Sequence, residues 1–393
     1  MNIITLSCYS QIEATESDES ALNTFRPINN KFEEALKNPE AIYELDLSNQ
    51  NIDILPEEIG LFKNLKKINL GNNKIKALPK SFQNLVNLEK IELYQNDLET
   101  LPSFIDKLKN LVEINLFSNQ LTELPVSIGS LYNLKKLDLR SNSLNDLPKT
   151  IGNLKNLEVL TLYDNKFIEF PKSLCTLYNL KSLSVSSNQI TMLPNEIGNL
   201  KGIEDLDLRN NKIEFIPESI GNLNKIESIS LDRNKLIKIP ESIGKLKSLL
   251  RLHLSKNNLK SIPQSIGDLK ELRLLELTDN QISYLPKSIG NVSKVYTIKL
   301  ENNKISKIPE TIGNLNNLGN FYISHNLIEK LPEQIKKLSS LKELDLSFNK
   351  LKEIPNGMID LNNLRFLNIK NNDFDEQVKK QIKRELPNVN IEI

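Results

Sequence analysis

Residues 134–156 read LKKLDLRSNSLNDLPKTIGNLKN, and residues 111–133 before them read LVEINLFSNQLTELPVSIGSLYN. Both follow one 23-residue pattern, L-x-x-L-x-L-x-x-N-x-L-x-x-L-P-x-x-I-G-x-L-x-N, in which x is a variable residue. Repeat 1 starts at Ile42, fourteen copies fill residues 42–363, and a partial fifteenth begins at Leu364. A fixed period of this length predicts a solenoid, because one unit can bury its apolar side chains only against its neighbours.

An asparagine occupies the ninth position of every repeat except the first, where Gln50 stands. The fourteen asparagines are Asn73, Asn96, Asn119, Asn142, Asn165, Asn188, Asn211, Asn234, Asn257, Asn280, Asn303, Asn326, Asn349 and Asn372. An asparagine side chain offers both donors and an acceptor, so at the buried end of a strand it satisfies backbone groups that water does not reach. We therefore expect a continuous asparagine ladder that joins each repeat to the next.

Proline and the apolar positions divide each repeat into two sides. Fourteen of the 17 prolines, from Pro56 to Pro355, stand at the fifteenth position, where the missing N–H argues against a strand and indicates a turn. The L-x-L pair is strand-like alternation, and the later I-G-x-L segment favours a 3₁₀ turn because it is too short for a full helix. Each large apolar side chain that stacking buries stabilises the fold by about 1.5–3 kcal/mol before conformational entropy is subtracted.

These positions resemble the leucine-rich repeat family, in the 23-residue subclass that carries L-P-x-x-I-G-x-L, over residues 42–372. The resemblance implies an α/β repeat solenoid, a curved horseshoe with a parallel β-sheet on the concave face and turns and 3₁₀ segments on the convex face. The subclass occurs in bacteria, including spirochaetes, and in eukaryotic intracellular scaffolds of the Ras pathway, and we interpret this chain as the bacterial type. Five residues replace the outer-turn glycine and are expected to alter that turn without threatening the fold: Gln83, Asp106, Cys175, Lys336 and Ile359.

The ends of a solenoid expose apolar faces, so a cap is expected at each end. Residues 29–41 predict an N-terminal helical cap. Residues 373–393 predict a C-terminal cap made of a helix with Asp375 as its N-cap residue, followed by a closing strand. The repeats occupy residues 42–372 between these caps, and residues 1–28 are expected to be a disordered leader.

The chain carries 51 basic and 50 acidic residues, so its charge gives no indication of binding to nucleic acid or to an anionic membrane. It has no apolar run of 18 residues, and no transmembrane segment is predicted. As written, the N-terminus lacks the basic and apolar regions of a secretory signal, which favours a cytoplasmic protein. Because Thr5–Cys8 loosely resembles the end of a lipoprotein signal, a start upstream of Met1 would instead predict a lipidated Cys8 and a cell-envelope or secreted protein.

No group of residues predicts catalysis, a metal site or a bound cofactor. The two histidines, His253 and His325, lie three repeats apart, whereas a zinc site needs three or four ligands at suitable spacing. Cys175 stands in an outer turn and His253 points to the concave face, so a Cys–His nucleophile is not expected. We interpret the chain as non-catalytic.

The variable position directly after L-x-L is expected to face solvent on the concave side of the sheet. In repeats 3–6 it holds the four residues that we call the aromatic ridge: Tyr94, Phe117, Arg140 and Tyr163. Parallel strands lie about 4.8 Å apart, so these side chains form a continuous row, and aromatic residues and arginine are enriched at binding hot spots. The alternative is that the aromatic residues only raise strand propensity and cover one another. Three polar residues complete the predicted partner-binding set: Glu92, Asp138 and Arg209.

A weaker second patch is predicted near the C-terminal end of the sheet, from Tyr322, His325, Phe348 and Phe366. The alternative is that these residues belong to the packing of the C-terminal cap. A mixed cluster in the middle repeats is more typical of charges that pair with one another on a solvated face: Asp205, Asp207, Arg209, Asp232 and Arg233.

Together these features predict a protein-recognition module that holds a polypeptide partner on the concave face of repeats 3–8. Two alternatives stay open: an exported surface adhesin that contacts a host protein or glycan, and a regulatory subunit of an intracellular enzyme. The sequence does not name the partner. Self-association through open sheet edges or concave faces is a further alternative, because long open sheets favour it.

Overall fold

The computed structural model describes residues 30–393, so the predicted leader and Cys8 lie outside it. Within this range, sixteen parallel strands form one sheet whose spatial order equals the chain order. The strands are β1 Glu44–Asp46, β2 Lys67–Asn69, β3 Lys90–Glu92, β4 Glu113–Asn115, β5 Lys136–Asp138, β6 Val159–Thr161, β7 Ser182–Ser184, β8 Asp205–Asp207, β9 Ser228–Ser230, β10 Arg251–His253, β11 Leu274–Glu276, β12 Thr297–Lys299, β13 Asn320–Tyr322, β14 Glu343–Asp345, β15 Phe366–Asn368 and β16 Asn390–Glu392. Neighbouring repeats pair in a 23-residue register, as Leu137 does with Leu160.

A five-residue 3₁₀ segment lies on the opposite side of each full repeat, directly after the repeated proline. These segments are Glu57–Leu61, Lys80–Asn84, Ser103–Lys107, Val126–Ser130, Lys149–Asn153, Lys172–Thr176, Asn195–Asn199, Glu218–Asn222, Glu241–Lys245, Gln264–Asp268, Lys287–Asn291, Glu310–Asn314, Glu333–Lys337 and Asn356–Asp360. The residues that replace glycine leave this length unchanged, so the expected alteration of the turn is not seen in its length. With one parallel sheet on one side of the repeats and the 3₁₀ segments on the other, the predicted horseshoe solenoid with a concave sheet is confirmed.

Glycine in the outer turn allows close packing between repeats and does not supply an unusual backbone angle. Among the described residues, no glycine has a positive φ. A Cβ atom on Gly129 would lie 2.2 Å from the carbonyl oxygen of Thr150 in the next repeat, and one on Gly198 would lie 2.3 Å from that of Ser219. These distances are far below van der Waals contact, so most outer turns stack at the spacing that only glycine permits.

The predicted asparagine ladder is present and joins consecutive repeats. Asn188 is buried, and its Nδ2 donates to the carbonyl oxygens of Leu162 in the preceding repeat and Val185 in its own, both at 3.0 Å. Its Oδ1 accepts a hydrogen bond from the Phe167 N–H at 3.0 Å. The same contacts recur from Asn73 to Asn372, so backbone groups at the strand ends are satisfied away from water.

A second asparagine ladder, unforeseen from the sequence, lies at the last position of the repeat. Asn110 donates to the carbonyl oxygen of Val86 at 3.0 Å, and Asn156 donates to that of Tyr132 at 2.8 Å. Eight asparagines make this bond to a carbonyl 24 residues earlier: Asn64, Asn87, Asn110, Asn133, Asn156, Asn179, Asn317 and Asn363. These bonds are more exposed than those of the first ladder, and they are interrupted where another residue replaces asparagine: Gly202, Lys225, Ser248, Glu271, Lys294 and Ser340.

The apolar side chains of all repeats form one continuous core that a helix closes at each end. Helix α1, Asn30–Leu36, packs through Phe32, whose ring centroid lies 5.7 Å from that of Phe62 in repeat 1. Helix α2, Glu376–Glu385, starts after Asp375, whose side chain accepts a backbone hydrogen bond of 2.8 Å in the first turn. Strand β16 then pairs with β15 and ends the sheet.

Candidate functional site

The four residues of the aromatic ridge occupy consecutive rungs of the sheet. Each follows its strand by two residues, and the backbone bonds continue the strand register through them. The Gln95 N–H donates to the carbonyl oxygen of Phe117 at 2.7 Å, and the Ser141 N–H donates to that of Tyr163 at 2.9 Å. The residues between strand and ridge, such as Leu93, are buried, so the alternation of a strand places the ridge side chains on the concave face.

The ridge side chains differ in exposure, whereas the sequence predicted that all of them face solvent. Tyr163 is 42% exposed, but Tyr94 and Phe117 are half-buried. The Tyr94 ring lies over Gly71 in the preceding repeat, where a Cβ atom would sit 2.3 Å from the ring. Gly71 therefore makes room for the ring of Tyr94, and packing explains part of this aromatic row.

Arg140 is held in place by two neighbours. Its guanidinium carbon lies 4.9 Å from the centre of the Phe117 ring, a cation–π geometry. Its Nε and terminal nitrogen donate to the Asp138 carboxylate at 2.9 and 2.6 Å, and these hydrogen bonds raise the pKa of Arg140. The guanidinium group is therefore already ordered over the Phe117 ring in the unbound protein.

Charged side chains beside the ridge neutralise one another. Lys90 lies 2.8 Å from Glu92 and 3.2 Å from Glu113, and Lys136 lies 2.8 Å from Glu113. The amide of Asn115 also donates to Glu92 at 2.6 Å. Glu92 and Asp138 therefore already have partners within the protein.

The middle repeats carry a half-buried ionic cluster that the sequence did not predict. Glu276 lies between His253 and Lys299, with Nδ1···Oε2 and Nζ···Oε1 distances of 2.6 Å each. The hydrogen bond from His253, followed by that from Lys299, lowers the pKa of Glu276 to about 2 despite burial. The signal in the sequence is the 23-residue spacing of the three residues, which the strand register brings together.

Arg209 is engaged within its own repeat, as the self-pairing interpretation expects. Its Nε donates to the Asp207 carboxylate at 2.9 Å, and Asp207 also accepts from the Ser186 hydroxyl at 2.9 Å. Asp232 is separate from this pair, and burial raises the pKa of its carboxyl group. Arg209 lies two strands beyond Tyr163, so it borders the aromatic ridge at a distance.

The second predicted patch divides into two parts. Tyr322 lies on strand β13 and donates a short hydrogen bond to Glu343. Burial, followed by this hydrogen bond, raises the pKa of the Tyr322 hydroxyl. His325 and Phe348 instead stack in the turn after the strand, with centroids 4.0 Å apart and an interplanar angle of 17°. Both have left-handed φ values, 52° and 53°, as residues at that turn position do in every repeat. Phe366, on β15, is half-buried.

The surroundings of Cys175 do not favour a nucleophilic thiolate. Cys175 is fully buried, and burial raises the pKa of its thiol to about 12. Between residues 30 and 393, no three His, Cys, Asp or Glu side chains come close enough together to hold a metal ion. No helix in that range is both long and apolar enough to span a bilayer.

Two family profiles match the sequence. The profile described as leucine-rich repeat region matches residues 118–209, 171–264 and 257–391, and the profile described as leucine rich repeat matches residues 40–98. Together they cover well over half of the chain. No curated protein is similar enough to the chain to count as a match.

Several solved structures share the fold. A leucine-rich repeat protein of Leptospira interrogans is 35% identical and superimposes with a TM-score of 0.82, over 93% of this chain and 99% of that one. A plant peptide hormone receptor is 29% identical with a TM-score of 0.72, over 85% of this chain and 61% of the receptor chain. An internalin of Listeria monocytogenes, at 22% identity and a TM-score of 0.63, covers 87% of this chain and 89% of its own, and shows the fold alone.

Proposed function

The chain belongs to the leucine-rich repeat family, and on that basis we propose that it is a non-catalytic recognition module of the bacterial type that binds a polypeptide on its concave face. The aromatic ridge forms the centre of the binding surface. The observation that carries this proposal is the placement of Tyr94, Phe117 and Tyr163 on three of four adjacent rungs, on one face. Large rings bring much contact area for little loss of side-chain entropy, which suits them to anchor a partner.

The rings are also preorganised for binding. Gly71 leaves the space that the Tyr94 ring occupies, and Arg140 fixes the position of the Phe117 ring. A surface that is ordered in advance loses less conformational entropy when a partner binds. We expect the partner to bind with little change in these side chains.

The charge around the ridge indicates the chemistry of the partner. Because Lys90, Glu113 and Lys136 already pair with one another or with Glu92, a strongly charged segment finds no unpaired counter-charge there. An extended segment with aromatic or aliphatic side chains fits better, since it covers the rings and leaves the ion pairs at a polar rim. The similarity to a plant peptide hormone receptor supports a polypeptide as the ligand class.

Peptide selection tests this proposal and does not require an identified partner. A display library of random peptides is selected on the wild-type chain, and the selected peptides are measured against a variant with Tyr94→Ala, Phe117→Ala and Tyr163→Ala. Each hot-spot anchor is worth about 2 kcal/mol, so we expect affinity to fall by at least thirtyfold. A second variant, Phe215→Ala with Tyr284→Ala, removes two exposed rings outside the ridge and serves as the control.

The control variant is expected to bind the selected peptides within threefold of wild type. Circular dichroism and urea denaturation establish that both variants keep the fold. Peptides that bind the ridge variant within threefold of wild type would place the binding surface elsewhere. The same conclusion would follow if the control variant lost as much affinity as the ridge variant.

A further inference from the structure

Lysine stands at the twenty-second position of every odd-numbered repeat from 1 to 9. The five residues, which we call the lysine file, are Lys63, Lys109, Lys155, Lys201 and Lys247. The even-numbered repeats between them carry Val86, Tyr132, Tyr178 and Asn224 at the same position. The alternation ends at repeat 10, which also carries lysine, and repeats 11–14 carry serine or asparagine there. The repeat scaffold therefore does not require this 46-residue period.

The file lies on the edge of the solenoid where each strand is about to begin, away from the aromatic ridge. All five lysines are exposed. Tyr132 and Tyr178 are 57% and 54% exposed, so more than half of each side chain meets solvent. Consecutive repeats bring these residues into one column along the outside of the sheet. From Lys63 to Lys201 the column therefore alternates positive charge with the exposed apolar or aromatic side chains of Val86, Tyr132 and Tyr178, and Asn224 follows in repeat 8.

Lysines of four of the five repeats, all but Lys63, donate to a carbonyl oxygen of the next repeat. The Lys109 ammonium lies 5.7 Å from the centre of the Tyr132 ring, and the Lys155 ammonium lies 5.1 Å from that of Tyr178. Lys155 also donates to the carbonyl oxygen of Thr176 in the next repeat at 2.8 Å. Lys109 and Lys201 make the equivalent bond to the next repeat at 3.2 and 3.1 Å. An ammonium group has three donors, so each lysine keeps donors for a ligand.

The groove beside Tyr178 has an excess of positive charge although the whole chain has a net charge of only +1. Within residues 30–393, none of the five file lysines forms an ion pair. The groove, of about 530 Å³, is lined by four lysines and two glutamates: Lys135, Lys181, Lys201, Lys225, Glu158 and Glu204. One of these glutamates, Glu158, is paired with Lys181 at 2.7 Å, so the excess positive charge remains available. The groove opens at Gly202 and Lys225, where the second asparagine ladder is interrupted.

We propose that the lysine file is a docking edge for a linear anionic polysaccharide built of disaccharide units. Repeats rise by about 5 Å at the sheet, so lysines in alternate repeats stand about 10 Å apart. That distance is comparable with the length of one disaccharide in an extended chain, so one of the anionic groups of each disaccharide can meet one ammonium group. The tyrosine rings between the lysines offer flat apolar surface to the C–H faces of the sugars. Phosphates of a nucleic-acid strand are more closely spaced than the lysines.

Chondroitin sulfate fragments of defined length test the proposal on the full chain. The first variant carries Lys109→Gln, Lys155→Gln and Lys201→Gln. A matched control makes the same charge change at exposed lysines on the opposite edge, with Lys235→Gln, Lys238→Gln and Lys260→Gln. We expect the affinity of wild type to rise with fragment length up to about five disaccharides, and the file variant to bind at least tenfold more weakly.

Salt dependence gives a second readout for the same variants. Counterion release makes the slope of log affinity against log salt scale with the number of ion contacts, at about 0.7–0.9 per contact for nucleic acids, so the file variant should lose at most about two units of slope and the control almost none. The ridge variant with Tyr94→Ala, Phe117→Ala and Tyr163→Ala should bind chondroitin sulfate within twofold of wild type. The proposal of a docking edge and the proposal of a peptide-binding surface can therefore be refuted independently of each other.

Three results would overturn the proposal. The first is equal affinity of the file variant and its charge-matched control. The second is affinity for one disaccharide equal to that for five, which would indicate a local ion site. The third is poly-L-glutamate binding as tightly as chondroitin sulfate of the same charge and competing with it, which would assign this edge to acidic polypeptides.

Discussion

The guanidinium group of Arg140 covers the Phe117 ring on the concave face, 4.9 Å from its centre, and donates a hydrogen bond to the carboxylate of Asp138 in its own repeat. This contact links two consecutive repeats through side chains that the core does not need. It also turns a half-buried ring into part of an ordered surface. The arrangement makes the proposed contribution of Arg140 to binding separable from its contribution to folding.

Arg140→Ala should weaken peptide binding and leave the fold almost unchanged. Exposed ion pairs contribute about 0–1 kcal/mol to stability, so the free energy of unfolding should change by less than about 1 kcal/mol. Affinity for a ridge-dependent peptide should fall about tenfold, because the Phe117 ring loses the guanidinium group that orders it. Calorimetric titration and urea denaturation measure the two quantities. Arg251→Ala, an exposed arginine on β10, is the control, and equal binding losses in both variants would refute the role of Arg140.

Asn188→Ala should destabilise the protein strongly. The side chain bonds backbone groups of two repeats, and its loss leaves the buried Phe167 N–H without an acceptor and removes one of the two amide donors to the carbonyl oxygen of Leu162. An unsatisfied buried group costs about 1–3 kcal/mol and each further lost hydrogen bond about 1 kcal/mol, so the free energy of unfolding should fall by about 3 kcal/mol. Asn110→Ala in the exposed ladder removes one bond and should cost at most about 1 kcal/mol. Similar losses in the two variants by urea denaturation would contradict the distinction between the ladders.

Gly129→Ala should cost more stability than Gly357→Ala. The added methyl group at Gly129 meets the backbone of the next repeat, at Thr150, whereas at Gly357 its nearest neighbour is the flexible side chain of Lys336. Backbone cannot move aside as a lysine side chain can, so we expect losses of about 1–3 kcal/mol and under 1 kcal/mol, respectively. The two melting temperatures provide the measurement. A lower melting temperature for Gly357→Ala would be the contrary result.

The contribution of Glu276 to stability should disappear in acid. Its pKa is about 2 in the folded protein against an ordinary value of 4.5, so the unfolded chain takes up the proton first as the pH falls. The stabilisation is therefore complete above about pH 4.5 and is lost as the pH falls toward 2, and its size is about 2–3 kcal/mol. Urea denaturation at pH 7 and pH 2.5 should show the gap between wild type and Glu276→Gln narrowing in acid. Glu214→Gln, at an exposed site, controls for general charge effects, and a gap of constant size would exclude this linkage.

Much of the fold follows from the period of the sequence. A single unit cannot bury its leucines, so the 23-residue pattern required stacking, and the asparagine and proline positions located the strand end and the outer turn. The reason for the outer-turn glycine could not be inferred from the sequence. Its role depends on the distance between repeats, as at Gly129 and Thr150, and sequence spacing carries no information on that distance.

The details of the candidate surface were less predictable. The sequence placed Tyr94 and Phe117 in one row, but it did not reveal that Tyr94 leans over Gly71 or that Arg140 covers Phe117, because these contacts depend on side-chain rotamers. The ionic cluster at Glu276 could have been predicted from the sequence, since its members are 23 residues apart and therefore lie on adjacent strands. The lysine file was also visible in the sequence as a 46-residue alternation. An alignment of single 23-residue repeats does not show it, because lysine occurs only in every second repeat.

Photo-crosslinking from the ridge tests the central claim most directly. Tyr163 is replaced by p-benzoylphenylalanine, which keeps an aromatic ring at that position, and the same residue replaces Tyr284 in a separate control chain. Irradiation with a selected peptide or the native partner should give a covalent adduct from position 163, mapped by mass spectrometry, and none from position 284. An adduct formed from position 284 and absent from position 163 would contradict binding at the aromatic ridge.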